Sequence, residues 1–374
     1  MPLTNSRVTS LIERSIREKI ILVGVELPAD FRSTVEDSLD ELALLIDTAG
    51  ADVVGRIIQR RESPDPSTYI GHGKLLELHE MSERLDVDTV VFDTELTPAQ
   101  QWNLEKVLRR SAIDRSAVIL DIFAQNARSR EGKIQVELAQ LRYRLPRLRG
   151  KGVSLSQQAG GIGTRGPGET RLEVDRRRLL AKMNKLDREL QKLNNTRHNQ
   201  RRLRHRSSQC MVTLVGYTNS GKSSLMNCLT GAGTVVEDRL FSTLDPRTRK
   251  LELPDGRTVL LSDTVGFVRK LPHQLVEAFS STLEIATEAD LLIHVVDGSC
   301  DDISDRVLVV RKELGEIGAA DVPEIMAINK MDINADRAES LSLRYDNAIP
   351  VSAQTGEGLD RLVAAIEKMS VHAI

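Results

Sequence analysis

Aromatic residues are scarce in this chain, with 6 Phe, 4 Tyr and 1 Trp making up 3% of it, so stacking of bases on aromatic rings is not the expected route to a nucleic-acid partner. Cysteine is scarcer. Cys210, Cys228 and Cys300 form an odd, widely spaced set, which excludes zinc-ligand spacing and a disulfide framework and points to packing residues in a reducing compartment. No apolar run approaches the length that spans a bilayer, and the amino terminus MPLTNSRVTSLIERSIREK is too polar for a signal peptide. A cytoplasmic protein with no membrane partner is expected.

The rest of the composition is that of an ordinary globular chain: 374 residues, 40% hydrophobic and 28% charged, enough for two or three domains. A formal net charge of -2 hides an asymmetry, because the stretch from Arg142 to Arg206 holds 19 Lys and Arg against 5 Asp and Glu. Solvation of a helix face is the usual reason for such a block. Here it includes AGGIGTRGPGETRLEVDRRR, residues 159–178, whose glycines add nothing to a core and cost the most backbone entropy to order. Something outside the chain is expected to order this segment, and its charge favours a polyanion. Arg165, Arg171, Arg176, Arg177 and Arg178 are the candidate RNA-binding cations, with phosphate contacts giving salt-sensitive affinity.

Residues 1–128 alternate strand-like runs (KIILVGVEL, ADVVGRIIQ, DTVVFDTEL, AVILDIF) with helical patterns (SLDELALLIDTA, GKLLELHEM, AQQWNLEKVLRR), which predicts a small α/β domain with parallel strands. Residues 129–206 predict a helical hairpin. Its first helix carries Ile134, Leu138, Leu141 and Leu145 and is expected to stop at Pro146. Its second follows the glycine loop, with Glu169 and Glu173 near its start and a stripe of Leu179, Met183, Leu186, Leu190 and Leu193. The polar, basic run from Asn195 to Gln209 reads as a linker. In 207–374, strands in MVTLVG, RTVLLSD, DLLIHVVD, EIMAIN and AIPVSA alternate with helices, the pattern of a doubly wound α/β sheet.

That last region carries the chemistry. Gly216-Tyr217-Thr218-Asn219-Ser220-Gly221-Lys222-Ser223 fits G-x-x-x-x-G-K-[ST] after a strand and at the opening of a helix, so its backbone N–H groups, continuing into Ser224, would cradle phosphates. Lys222 would reach the β- and γ-phosphates and Ser223 would ligate Mg²⁺. In Asn329-Lys330-Met331-Asp332 the final carboxylate can accept from N1–H and N2–H of guanine, a donor pair adenine lacks. In Ser352-Ala353-Gln354 the Ala353 N–H is placed to meet the guanine O6. Asp263-Thr264-Val265-Gly266 supplies a carboxylate that holds Mg²⁺ through water and a glycine N–H that senses the γ-phosphate. Within Phe241-Ser242-Thr243-Leu244, Thr243 is the candidate Mg²⁺ ligand of the triphosphate state, with Thr248 as second candidate. Lys222, Thr243 and Gly266 form the candidate catalytic set.

Two positions have alternative readings. Phe267 stands where a small signalling GTPase places a glutamine to orient water; either turnover is slow until a partner reshapes the site, or Phe267 is a packing residue and backbone groups hold the water. Asn219 either helps hold K⁺ across the phosphates or is simply tolerated in a tight loop.

Taken together, GYTNSGKSSL, FSTLDPRTR, DTVGF, NKMD and SAQTG, with YIGHGK, DRSAVILDIFAQNARSREGKIQVELAQLRYRLPRL and GGIGTRGPGETRLEVDRR, closely resemble the HflX family of translational GTPases, from about Val23 to Met369. The resemblance implies a P-loop GTPase domain preceded by a small α/β domain and a helical hairpin. It further implies Mg²⁺-dependent GTP hydrolysis by a monomer that binds the large (50S) ribosomal subunit and its rRNA and, in bacterial members, splits or rescues stalled ribosomes. Some bacterial members continue into a further small domain; this chain ends at MSVHAI, and ribosome contacts made by that extension are expected to be missing. The family's amino-terminal domain has been linked to adenine nucleotides, but Gly71-His72-Gly73-Lys74 lacks P-loop spacing and reads as a helix start. An RNA-binding or chaperone GTPase not acting on intact ribosomes, and a regulatory GTPase switch with protein partners, are the alternative readings.

Overall fold

Burial decides strand order in the amino-terminal sheet. In β1 (Lys19–Glu26) and β3 (Thr89–Phe92) nearly every residue is buried, as a strand covered on both faces requires, while β2 (Asp52–Arg60) alternates and lies at the edge. The order is β2-β1-β3-β4, all parallel, with β4 at Ser111–Asp114. Helices α1 (Val35–Ala49), α2 (His72–Arg84) and α3 (Pro98–Leu108) make the crossovers. Helix α2 starts directly after Gly71, its N-cap, so the YIGHGK stretch opens a helix as expected. The computed structural model describes residues 17–28, 35–148, 171–205, 210–231, 239–272 and 280–370.

AVILDIF is not a strand. It lies within helix α4 (Arg115–Asn126), and the strand is the preceding SAID. Asp114 ends that strand and accepts the Ala117 N–H at 3.0 Å, capping the helix. Val118, Ile119, Leu120, Ile122 and Phe123 are all buried, so no helical period is visible in the sequence, and a short apolar run does not distinguish strand from buried helix.

The contacts divide the chain into two units, Met1–Ile122 with Tyr143–Arg176, and Phe123–Arg142 with Arg177–Ile374. In the second, α5 (Arg130–Arg147) packs Ile134, Leu138 and Leu141 against the Leu179, Met183, Leu186, Leu190 and Leu193 stripe of α6 (Arg171–His205). Arg130 pairs with Glu189 at 2.6 Å and Glu137 with Lys182, so the helices run antiparallel. Two boundaries differ from the sequence reading. Helix α5 passes Pro146 to Arg147, because a proline in the last turn has little helix beyond it to disrupt. Helix α6 continues to His205, through most of the run read as a linker, which contains no glycine or proline and is rich in Arg. Glu169 and Arg165 lie outside the described residues.

The larger sheet has the order β10-β9-β8-β5-β7-β6. Its strands are β5 (Met211–Gly216), β6 (Arg247–Glu252), β7 (Thr258–Asp263), β8 (Leu291–Asp297), β9 (Glu324–Asn329) and β10 (Ala348–Pro350), all parallel except β6, which runs antiparallel to β7. Chain direction across the sheet reverses beside β5, the position at which such folds open a crevice at the strands' carboxyl ends. Strand β6 escaped the sequence reading because RTRKLE buries only Leu251. So did the short helix Ala335–Ser342, where Ala338 alone is buried.

Glu324 at the start of β9 receives Arg311 at 2.8 Å and lies 3.5 Å from the His294 ring on β8. Burial opposes its charge, but these neighbours outweigh burial and hold the carboxyl down at about 2, against an ordinary 4.5. The folded value is the lower one, so the stabilisation is complete above the ordinary value and is lost as pH falls toward the folded one. Glu324→Gln is expected to lower stability to urea by about 1 kcal/mol at neutral pH and to make no difference at the acid end of that window.

Candidate functional site

A cavity of about 450 Å³ opens at the carboxyl ends of the parallel strands beside β5. Its walls include Thr218, Asn219, Gly221, Lys222, Ser223 and Ser224 from the P-loop and the first turn of α7 (Lys222–Thr230). Phe241, Ser242 and Thr243 form a second wall, Thr264 and Gly266 a third. Asn329, Lys330, Asp332, Ala353 and Gln354 close the far end, together with Ile333. Five separate motifs, as far as 138 residues apart between Gly216 and Gln354, thus meet in one concavity. The predicted residues that do not line it support it. Gly216 ends β5, Tyr217, Ser220, Asp263, Leu244 and Val265 are buried, Met331 packs into a core cluster with Val296 and Ile328, and Ser352 is fully buried.

The two ends are tied together by Asn329. Its Nδ2 donates to the Ser220 carbonyl at 2.9 Å, and its Oδ1 accepts the Ala353 N–H at 2.9 Å. A side chain at Gly221, where φ is +90°, would collide with that amide, so glycine is required there both by conformation and by close approach. Ala353 therefore differs from expectation: its N–H goes to Asn329 rather than toward a base, because a buried amide needs both ends satisfied. The guanine reading then rests on Asp332, whose Oδ1 accepts the Ser352 hydroxyl at 2.5 Å. Lys330 is anchored by Asp297 at 2.6 Å. Sequence reading missed Asp297, although DGS at the end of a strand, with Ser299 N–H and Oγ both donating to it, was a usable turn signal.

The phosphate end is held more tightly. Lys222 is buried, and its Nζ donates to the Gly216 and Tyr217 carbonyls at 3.1 and 2.8 Å. Burial pushes its pKa down to about 8, with Asp263 acting in the opposite direction. Ser223 Oγ donates to Asp263 Oδ2 at 2.6 Å and lies 2.8 Å from Thr243 Oγ1. Among the described residues, buried Asp263 Oδ1 has no hydrogen-bond partner, and burial holds this carboxyl above the ordinary range. Three hard oxygen donors converging beside an unsatisfied carboxylate oxygen fit a hydrated Mg²⁺. Thr248, the alternative to Thr243, is instead on β6, with its hydroxyl 2.9 Å from Ser262 Oγ. Asn219 has φ +59°, a left-handed conformation that Asn tolerates better than most residues, so its presence is explained without a cation.

Phe267 is 1% exposed and packs with Val215, Tyr217, Ala286 and Leu292. Its backbone is bonded to the P-loop on both sides, Phe267 N–H to Gly216 O at 3.1 Å and Thr218 N–H to Phe267 O at 2.7 Å. Of the two readings of this residue, packing is the one the geometry favours. The pairing brings Gly266 against Thr218: a Cβ at Gly266 would lie 2.7 Å from Thr218 Cα and 3.0 Å from Lys222 Nζ. Gly266→Ala is expected to force this segment off the P-loop and lower kcat for GTP about 100-fold while GDP affinity stays near wild type; single-turnover kinetics and nucleotide titration check both halves.

Of the candidate RNA-binding cations, Arg176, Arg177 and Arg178 are exposed on α6. Arg171 is its first residue, and Arg165 lies outside the described residues. Among the described residues, no helix is long and apolar enough to cross a membrane.

Comparisons with known proteins agree along the chain. The family described as GTP-binding GTPase N-terminal matches residues 36–124, GTP-binding GTPase Middle Region matches 126–204, and 50S ribosome-binding GTPase matches 211–330. A GTPase HflX of Caldanaerobacter subterraneus subsp. tengcongensis is 49% identical over 94% of this chain and 80% of its own. A GTPase HflX of Escherichia coli is 40% identical over 94% of this chain and 83% of its own. A solved GTP-binding protein from the hyperthermophilic archaeon Sulfolobus solfataricus, in complex with GDP, is 26% identical, covering 96% of this chain and 100% of that one with a TM-score of 0.46.

Proposed function

The chain belongs to the HflX family of GTPases, and from that membership we propose that it acts on the large ribosomal subunit, splitting or rescuing stalled ribosomes in the cytoplasm. It binds and hydrolyses GTP. In the proposed division of labour, Lys222 and the P-loop N–H groups hold the phosphates, and Asp332, oriented by Ser352, selects guanine. Ser223, Thr243 and Asp263 would hold Mg²⁺, which when bound neutralises charge developing on the phosphate oxygens. The Gly266 N–H would report the γ-phosphate. With the Phe267 ring turned into the core, backbone groups nearby would hold the attacking water, and stimulation by a partner would come from reordering the loops that carry them.

The observation that carries the ribosome reading is the block from Arg142 to Arg206, 19 Lys and Arg against 5 Asp and Glu, with Arg176, Arg177 and Arg178 exposed on α6. Cations on a helix that emerges from a glycine-rich segment can follow RNA phosphates. The matched family's description as a 50S ribosome-binding GTPase supports the same partner. The test is GTP turnover with and without purified large subunits, in Na⁺ and in K⁺. Strong stimulation by the subunit supports the proposal, and none rejects it. Equal rates in the two salts leave Asn219 with its backbone role alone.

A further inference from the structure

Thr243 lies on a loop that is gripped on both sides by residues far away in sequence. On one side, Asn126 Nδ2, at the end of α4, donates to the Phe241 carbonyl at 2.8 Å. The Phe123 ring meets the Phe241 ring edge-on, centroids 4.8 Å apart, and the Phe241 N–H is held by Thr218 Oγ1 at 3.0 Å. On the other side, Asp245 Oδ2 accepts the Arg128 and Ser129 N–H groups at 3.0 and 2.7 Å, and its Oδ1 accepts the Ser129 hydroxyl. Ser129 Oγ in turn accepts the Gly132 N–H at 2.9 Å in the first turn of α5. Phe241 has φ +57°, a conformation that a bulky residue keeps only where its surroundings impose it.

We propose that Asn126 and Ser129 are positioning residues for GTP hydrolysis: by fixing Phe241 and Asp245, they hold Thr243 within reach of Ser223 and Asp263. The proposal rests on the reading of Thr243 as a ligand of the triphosphate state. A loop clamped two residues before and two residues after its working hydroxyl has little freedom to place that hydroxyl elsewhere, whereas loss of either clamp releases it.

Asn126→Ala and Ser129→Ala should each lower single-turnover kcat at least fivefold and raise the Mg²⁺ concentration needed for half-maximal rate, with GDP affinity unchanged. Ser129→Thr, which keeps the hydroxyl, should restore both. Gly132→Ala attacks the same clamp from the helix side, since its Cβ would lie 2.5 Å from Asp245 Oδ1. It should lower kcat, with the thermal transition measured beside it to show that the variant is folded. Wild-type kcat and Mg²⁺ dependence in Asn126→Ala, Ser129→Ala and Gly132→Ala, beside a Thr243→Ala that is impaired, would overturn the proposal. A Thr243→Ala with normal kcat and Mg²⁺ dependence would instead overturn the reading on which it rests.

Discussion

Asp332→Asn is expected to weaken GTP by on the order of 10²- to 10⁴-fold and to make xanthosine triphosphate the better ligand. The carboxylate is pre-aimed, since Ser352, fully buried, donates to its Oδ1 at 2.5 Å, so little order has to be gained when guanine arrives. An ionised acceptor facing two N–H donors makes the stronger class of hydrogen bond, about 1.5–3 kcal/mol each. An amide keeps the shape but turns an NH₂ toward one of those donors, which both loses a bond and leaves a donor unpaired. Xanthine carries an oxygen at that position and restores the match. Competition titration of the variant with the two triphosphates reads the inversion directly; a variant that still prefers GTP removes the guanine assignment from Asp332.

Lys222→Ala should abolish detectable binding of both GDP and GTP, a loss on the order of 100-fold or more. The ammonium sits buried among backbone carbonyls, where burial has already pushed its pKa down to about 8. A cation held in so dry a site gains more from phosphate anions than an exposed lysine would, because little water screens the pair. Removing it also leaves the Gly216 and Tyr217 carbonyls with one donor fewer, the Phe267 and Ser220 N–H groups remaining. Fluorescent-nucleotide titration, with the thermal transition as a check on folding, measures the effect; a folded variant with micromolar nucleotide affinity would mean that the P-loop backbone alone holds the phosphates.

The sequence made the nucleotide end of this molecule legible because each motif there answers a local demand. Gly221 and Gly266 are glycines where a side chain would strike Asn329 or Thr218, and Lys222, Asp263 and Asp332 are residue types that suit the phosphate, metal and guanine contacts proposed for them. Burial hid other features. AVILDIF buries every residue except Ala117 and Asp121 and is too short for its period to separate strand from helix, and RTRKLE is a strand with a single buried residue. Long-range pairing hid the rest. Nothing near Ser129 announces Asp245, 116 residues away, and the Ala353 N–H could not be assigned to Asn329 before the strands were in register. Phe267 was undecided in sequence and is settled only by the apolar cluster around its ring.

In the function proposed above, guanine-nucleotide state controls engagement of structured ribosomal RNA by the cationic segment. Co-sedimentation with purified large subunits at fixed, moderate salt compares the protein without nucleotide, with GDP and with a non-hydrolysable GTP analogue. The analogue-loaded form should pellet with the subunit at protein concentrations where the other two remain in the supernatant, and added salt should weaken the binding. Equal retention of all three forms would rule out nucleotide control.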